Sequence, residues 1–210
     1  MSLFKKKDDD AATVTRLSSH AGNIIQMLKQ VLGVHDDSRR WHLLAYACGL
    51  AGYACHLAVK ANHGSFMQVE TKSGKKYYFG DDVNQYLLES KHSVLNYMSG
   101  AYSYISPGKA LPDVVPIIQN AASVIGNEEY RLWNRYAPEE VFRSIKDCWD
   151  GIYDNMTAKY CKTPSEWPIL FGIVLQNIMI ELMKSYSPES VFIAALECTI
   201  FISKMDVDSL

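Results

Sequence analysis

Three imidazoles fall on one helical stripe. His42, His56 and His63 recur with Ala45, Gly49, Gly52 and Val59 on alternating three- and four-residue steps. Imidazoles in such a row could bind a metal ion or exchange a proton near neutral pH. Their spacing rules out a single shared ion. At ~1.5 Å rise per residue, His42 and His56 stand roughly 21 Å apart and His56 and His63 about 10 Å, whereas zinc holds its nitrogens at about 2.0–2.1 Å. Any site must therefore be completed from other helices. The candidates are a cleft lined by Tyr53 and His56 with Glu89 and His92 from the third helix, and Glu181 or Asp147 beyond them. The competing account is packing. Ala45, Gly49 and Gly52 carry so little side chain that a neighbouring helix can approach closely, with His42 and His56 hydrogen-bonded at the ends of the contact.

The other chemically suggestive groups have simpler explanations. Glu89 and His92 form the chain's sole Glu-x-x-His, whereas di-iron carboxylate bundles use two such motifs and a Glu from each of two further helices. Glu181 and Glu197 each share a stripe with other polar residues and read as narrow solvated faces. The His35-Asp36 doublet falls in an expected interhelical turn, where Asp serves as a cap. Asp147, Asp150 and Asp154, with Glu140 nearby, could hold Mg²⁺. Arg143 and Lys146, however, lie four residues before Asp147 and Asp150, the pairing of an exposed helix face. No G-x-S-x-G, phosphate-binding loop or G-x-G-x-x-G is present. Cys161 looks the most exposed thiol, but a helix C-terminus disfavours its thiolate. No catalytic residue, metal or cofactor is expected.

A different kind of surface is expected at residues 66–79. FMQVET and KKYYFG flank Lys72-Ser73-Gly74-Lys75 and predict a β-hairpin. Lys72, Lys75 and Lys76 at the tip, followed by Tyr77, Tyr78 and Phe79, mix cationic and aromatic groups as nucleic-acid surfaces do. Strand alternation buries about half of those aromatics. An exposed strand edge equally accepts a strand from a protein partner or from a second copy. The formal charge of -2 and pI near 6.3 supply no bulk attraction to nucleic acid or anionic lipid, so nucleic acid ranks below a protein partner or homo-oligomer.

Helices must position these groups. Periodicity and caps predict helix 1 over about 11–32, with Val14, Leu17, Ala21, Ile24, Ile25, Leu28, Val31 and Leu32 inward. Helix 2 should be capped by Asp36, Asp37 or Ser38 and stopped by Gly64. One helix should follow the hairpin, carrying Val83, Tyr86, Leu87, Val94, Leu95, Met98 and Tyr102. A short helix is expected from Pro112 to Ile125, another from Glu128 to Tyr136, and an amphipathic one from Pro138 through Tyr160. The last two should run over 166–186 and 189–205. The segment from Trp41 to Val59 has no Asp, Glu, Lys or Arg and is apolar on its remaining faces, so helix 2 is expected to be the buried axle. The fold class is all-α: a single-domain bundle of about seven or eight helices around a Gly/Ala/Cys-rich central helix, with one inserted hairpin.

Compartment and partners follow from composition. Cysteines 48, 55, 148, 161 and 198 are odd in number and form no C-x-x-C pair, which suits small core residues in a reducing cytosol. The opening MSLFKKKDDD has no apolar run after its lysines, so no secretory leader is expected, and residues 1–10 read as a disordered tail before a helical domain over 11–210. Residues 41–59 approach the ~20 apolar residues that cross a bilayer, yet Ala, Gly, Cys, Tyr and His give little transfer gain; no membrane span is expected. Generous aromatic supply, with 13 Tyr, 7 Phe and 4 Trp, leaves rings for an interface. The expectation is a non-catalytic cytoplasmic interaction or regulatory protein. The alternatives are a helical enzyme or small-ligand binder at His56, Tyr53, Glu89 and His92, and a nucleic-acid binder through the lysine-tipped hairpin.

Overall fold

The computed structural model describes residues 3–33, 39–133 and 136–208, with side chains from Asp10 onward. Helix α1 (Leu3–Val31) begins at Leu3, inside the segment expected to be a tail, because neither Gly nor Pro interrupts the chain before Gly22. Leu17, Ala21, Ile24 and Leu28 are fully buried against α7 (Trp167–Met183). Val31, expected to face inward, is 56% exposed; Leu32 packs against the core in its place. Arg16 fastens the middle of the helix. It donates to Glu166 Oε1 at 2.7 Å and to the Tyr160 carbonyl.

Helix α2 (Arg40–Ala61) is continuous, and 15 of its 22 residues are buried, so no flank is open to water. It lies among α6 (Pro138–Lys159), α7 and α8 (Pro188–Ser203). Small residues make this possible. A methyl group placed on Gly52 would fall inside the van der Waals shell of the Thr199 carbonyl oxygen and 3.0 Å from the Ser203 nitrogen. One placed on Gly49 would collide with the end of the Ile145 side chain. At the same crossing the Cys198 thiol donates to the Ala45 carbonyl at 3.8 Å. The close backbone approach expected of the Ala45, Gly49, Gly52 stripe is therefore present.

The ends of α2 differ from expectation. Asp36, Asp37 and Ser38 lie outside the described residues, and Arg39 stands at the N-cap without a side-chain cap bond. His63, at φ 57°, takes the left-handed position assigned to Gly64; His tolerates that region better than most residues. Gly64 is small for another reason, since a Cβ there would meet the Val59 side chain at 2.6 Å and the Asp82 carboxylate at 3.0 Å.

The hairpin forms as expected. Strand β1 (Met67–Glu70) pairs antiparallel with β2 (Lys76–Phe79) in the register Met67↔Phe79, Gln68↔Tyr78, Val69↔Tyr77, Glu70↔Lys76. Gly74 at φ 81° closes the turn. The helix expected next is broken. Short α3 (Asp81–Asn84) runs into a π-helical turn over Gln85–Glu89, and the chain is extended at Ser90 before α4 (Val94–Ile105) begins. Ser93 causes the restart: its side chain accepts from the Asn96 backbone N–H at 3.3 Å, a cap bond unavailable within a continuous helix.

Helix α5 (Val114–Ser123) is capped by Asp113. The helix expected over 128–136 does not form. Trp133 has φ 55°, Leu132 bridges to Tyr136, and the aromatic side chains are held by other elements: Trp133 Nε1 donates to the Ala194 carbonyl at 2.8 Å and Tyr130 stacks on Phe201. Tertiary ring contacts outweigh local helix propensity there. The described chain is all-α with a two-stranded hairpin: seven helices of ten or more residues share one buried core.

Two helical segments, Arg40–Ala61 and Pro164–Met183, are long and apolar enough to cross a membrane by length and composition. Most of each apolar window is buried inside the protein, 83% and 67% respectively. All five cysteines are free and buried, including Cys161, whose backbone N–H bonds to Met156 and tucks the thiol under the end of α6.

Candidate interaction site at the hairpin

The four residues expected to line a ligand cleft occupy separate environments. Tyr53 lies edge-on to Phe142 and Trp149, and burial pushes its hydroxyl up to about 12. His56 is only 2% exposed, stacks on Phe66 with centroids 4.5 Å apart, and places Nδ1 3.2 Å from the Ser203 carbonyl. Glu89 is exposed and accepts from the Gln85 amide within its own π-helical turn. His92 sits beyond the helix break beside Tyr97, whose hydroxyl is 3.5 Å from its Nδ1. The break at Ser90 is why the Glu-x-x-His spacing does not put both groups on one helix face. Among the described residues, no group of three or more His, Cys, Asp or Glu is placed to hold a metal ion. His42 is hydrogen-bonded, as the packing account expects, with Nε2 3.0 Å from the Tyr136 hydroxyl.

The hairpin residues, by contrast, assemble with partners the sequence did not suggest. After α8 the chain passes alongside β2 and joins it through an isolated antiparallel bridge. Met205 bridges Tyr77, and the Tyr78 N–H donates to the Lys204 carbonyl at 2.7 Å. Tyr77 is buried edge-on to Phe201, while Tyr78 points to the opposite face, against His56 and Phe66. Phe79 is half-buried, with the Lys204 ammonium 5.8 Å above its ring. The expected alternation thus holds, and His56 serves as the floor beneath Tyr78.

The lysines are less alike than their sequence suggests. Lys75 pairs with Glu139 at the start of α6, 2.6 Å away. The Glu139 carboxylate raises the Lys75 value, and although burial pushes Glu139 up, the Lys75 ammonium outweighs it and the net shift is downward. Lys72 and Lys76 are exposed. A hollow of about 630 Å³ opens between the turn and the C-terminal segment, lined by Lys75, Lys76, Tyr77, Glu139, Asp206 and Asp208 among others. Asp208 is held by Lys60 at 2.6 Å, which depresses its carboxyl.

Lys204, which helical spacing puts with Ser190 and Glu197 on a stripe expected to be solvated, is buried instead and is the costly group. It is 6% exposed and donates to Asn84 Oδ1 at 3.3 Å, with no carboxylate paired to it among the described residues. Burial lowers its ammonium to about 8. A depressed lysine value means that stability rises with pH between the folded value near 8 and the unfolded value near 10.5. At neutral pH the full cost, about 3 kcal/mol at one unit per 1.36 kcal/mol, is borne. Lys204→Met is therefore expected to raise stability at pH 7 by about 1–3 kcal/mol, with the gain shrinking as pH approaches 10.5. Urea melts at several pH values test this, and an unstable variant at pH 7 would show that the ammonium contributes net stability.

Strand β1 is the open side of this assembly. All four of its residues are exposed, Met67 at 64% and Val69 at 41%. The Thr71 N–H bonds to the Lys75 carbonyl at 2.8 Å and the Tyr78 N–H points the other way, to Lys204. Antiparallel alternation then turns the backbone groups of Met67 and Val69 inward to β2, and those of Gln68 and Glu70 outward. Among the described residues nothing pairs with that outer edge.

Fold and site together define a helical bundle bearing a hairpin that is anchored on one side and open on the other. Comparison with family models, with curated proteins and with solved structures finds no match to this chain.

Proposed function

We propose that this chain is a non-catalytic protein-interaction module of the cytoplasm, and that β1 docks an extended segment of a partner by strand addition. One observation carries the reading: β2 is bonded on its outer side to the C-terminal segment, with Tyr77 buried, while β1 offers two outward backbone positions beside the exposed Met67 and Val69. Five buried free thiols suit a reducing compartment. A lysine-tipped nucleic-acid surface has less support, because Lys75 is already neutralised by Glu139. A small-ligand reading draws on the hollow beside the hairpin, whose lining carries both charge signs, rather than on His56, Glu89 and His92.

The test is selection from a library of random extended peptides. Bound peptides are expected to slow amide exchange at Gln68 and Glu70. Gln68→Pro removes one outward donor and leaves the β1–β2 ladder intact, so it should weaken binding about tenfold, the worth of one backbone hydrogen bond. Selected peptides that bind Gln68→Pro as tightly as the parent would refute strand addition at this edge.

A further inference from the structure

We infer that the occupant of the β1 edge is β1 of a second copy, antiparallel, with the two-fold axis passing through Val69. The inference rests on the strand-addition reading and adds the identity and register of the partner strand. An antiparallel neighbour must present outward groups two residues apart, as Gln68 and Glu70 do, so β1 is complementary to itself.

Side chains select among the registers. Gln68 Oε1 accepts from the Tyr78 hydroxyl at 3.2 Å, which leaves its amide N–H groups free to donate. Glu70 has no hydrogen bond or ion pair among the described residues. Centring on Val69 places each Gln68 opposite the other copy's Glu70, giving the carboxylate a donor twice over. It also sets Val69 against Val69 at a non-hydrogen-bonded position, where side chains lie closest, and Met67 against Thr71. Centring on Glu70 would oppose two carboxylates, and centring on Gln68 would face Glu70 with Phe66. A formal charge of -2 per copy adds little repulsion. A four-residue strand pair with its flanking side chains falls short of the ~800 Å² per partner of a standard interface, so the dimer should dissociate on dilution.

Sedimentation over a concentration series should show the mass rising from 23.7 kDa toward twice that value, and Val69→Lys should abolish the rise without changing the helical circular dichroism. Because the native thiols are buried, introduced cysteines report the register. Val69→Cys should oxidise to a covalent dimer at least tenfold faster than Met67→Cys. An equimolar mixture of Met67→Cys and Thr71→Cys should give the heterodimer. A parent protein that stays monomeric at every concentration overturns the inference, as does Met67→Cys cross-linking to itself as fast as Val69→Cys. If random peptides still bind the β1 edge while a peptide of residues 66–71 does not, strand addition stands and the second copy falls.

Discussion

Gly52→Ala is expected to lower the stability of this protein by about 3 kcal/mol, the upper range for overpacking, in spite of alanine's better helix propensity. The new methyl group would meet the Thr199 carbonyl oxygen and the Ser203 nitrogen, both main-chain atoms of α8. Neither can swing aside as a side chain can, so α2 and α8 must separate along a contact that also holds Cys198 to Ala45. Gly151→Ala is the matched control. Gly151 lies within α6, exposed, with nothing near the position of a Cβ, so alanine should stabilise by roughly 1 kcal/mol. Gly49→Ala should fall between them, since the atom it meets is the movable end of Ile145. Urea unfolding midpoints rank the three. A Gly52→Ala protein as stable as the parent would mean that the two helices are not in main-chain contact at this crossing.

The second large effect is expected in mild acid. Burial holds the His56 imidazole down at about 4, opposed by the Ser203 carbonyl, while Lys60 disfavours and Asp206 and Asp208 favour the charge. The unfolded chain binds this proton near 6.5. The neutral ring's contribution to stability is therefore complete above pH 6.5 and is lost as pH falls toward 4. That shift corresponds to about 3 kcal/mol. His56→Phe should keep the ring packing against Phe66 and Tyr78 while forgoing the bond to Ser203. Its stability should fall less steeply than the parent's between pH 6.5 and 4, and parallel curves for the two proteins would show that His56 does not titrate differently in the folded state.

What could be read from the residues depended on how local its cause was. The axle was legible because residues 41–59 lack charge and carry Gly and Ala at helical spacing, a pattern with one economical outcome. The hairpin was legible because Lys72-Ser73-Gly74-Lys75 sits between two aromatic, β-branched runs. The break before α4 was missed because Ser93 is a cap only if the chain arrives extended, and the apolar spacing from Val83 to Met98 looks continuous without it. The expected placement of Glu89 and His92 on one helix face depended on that unbroken helix. The stretch around Trp133 was misread because its rings are claimed by Ala194 and Phe201, far away in sequence. Lys204 to Asp208 carry no strand signature. Lys204 and Met205 join the hairpin through main-chain pairing that any residue type makes, so no composition could announce it.

That late pairing has a consequence for how the molecule assembles. The hairpin is made early in the chain, but the segment that bridges β2 arrives only after α8, with most of the bundle's helices between Tyr77 and Met205 in sequence. A two-stranded unit holds together poorly alone. Docking of the hairpin should thus be among the last native contacts to form during synthesis, and the β2 edge stays unguarded until then.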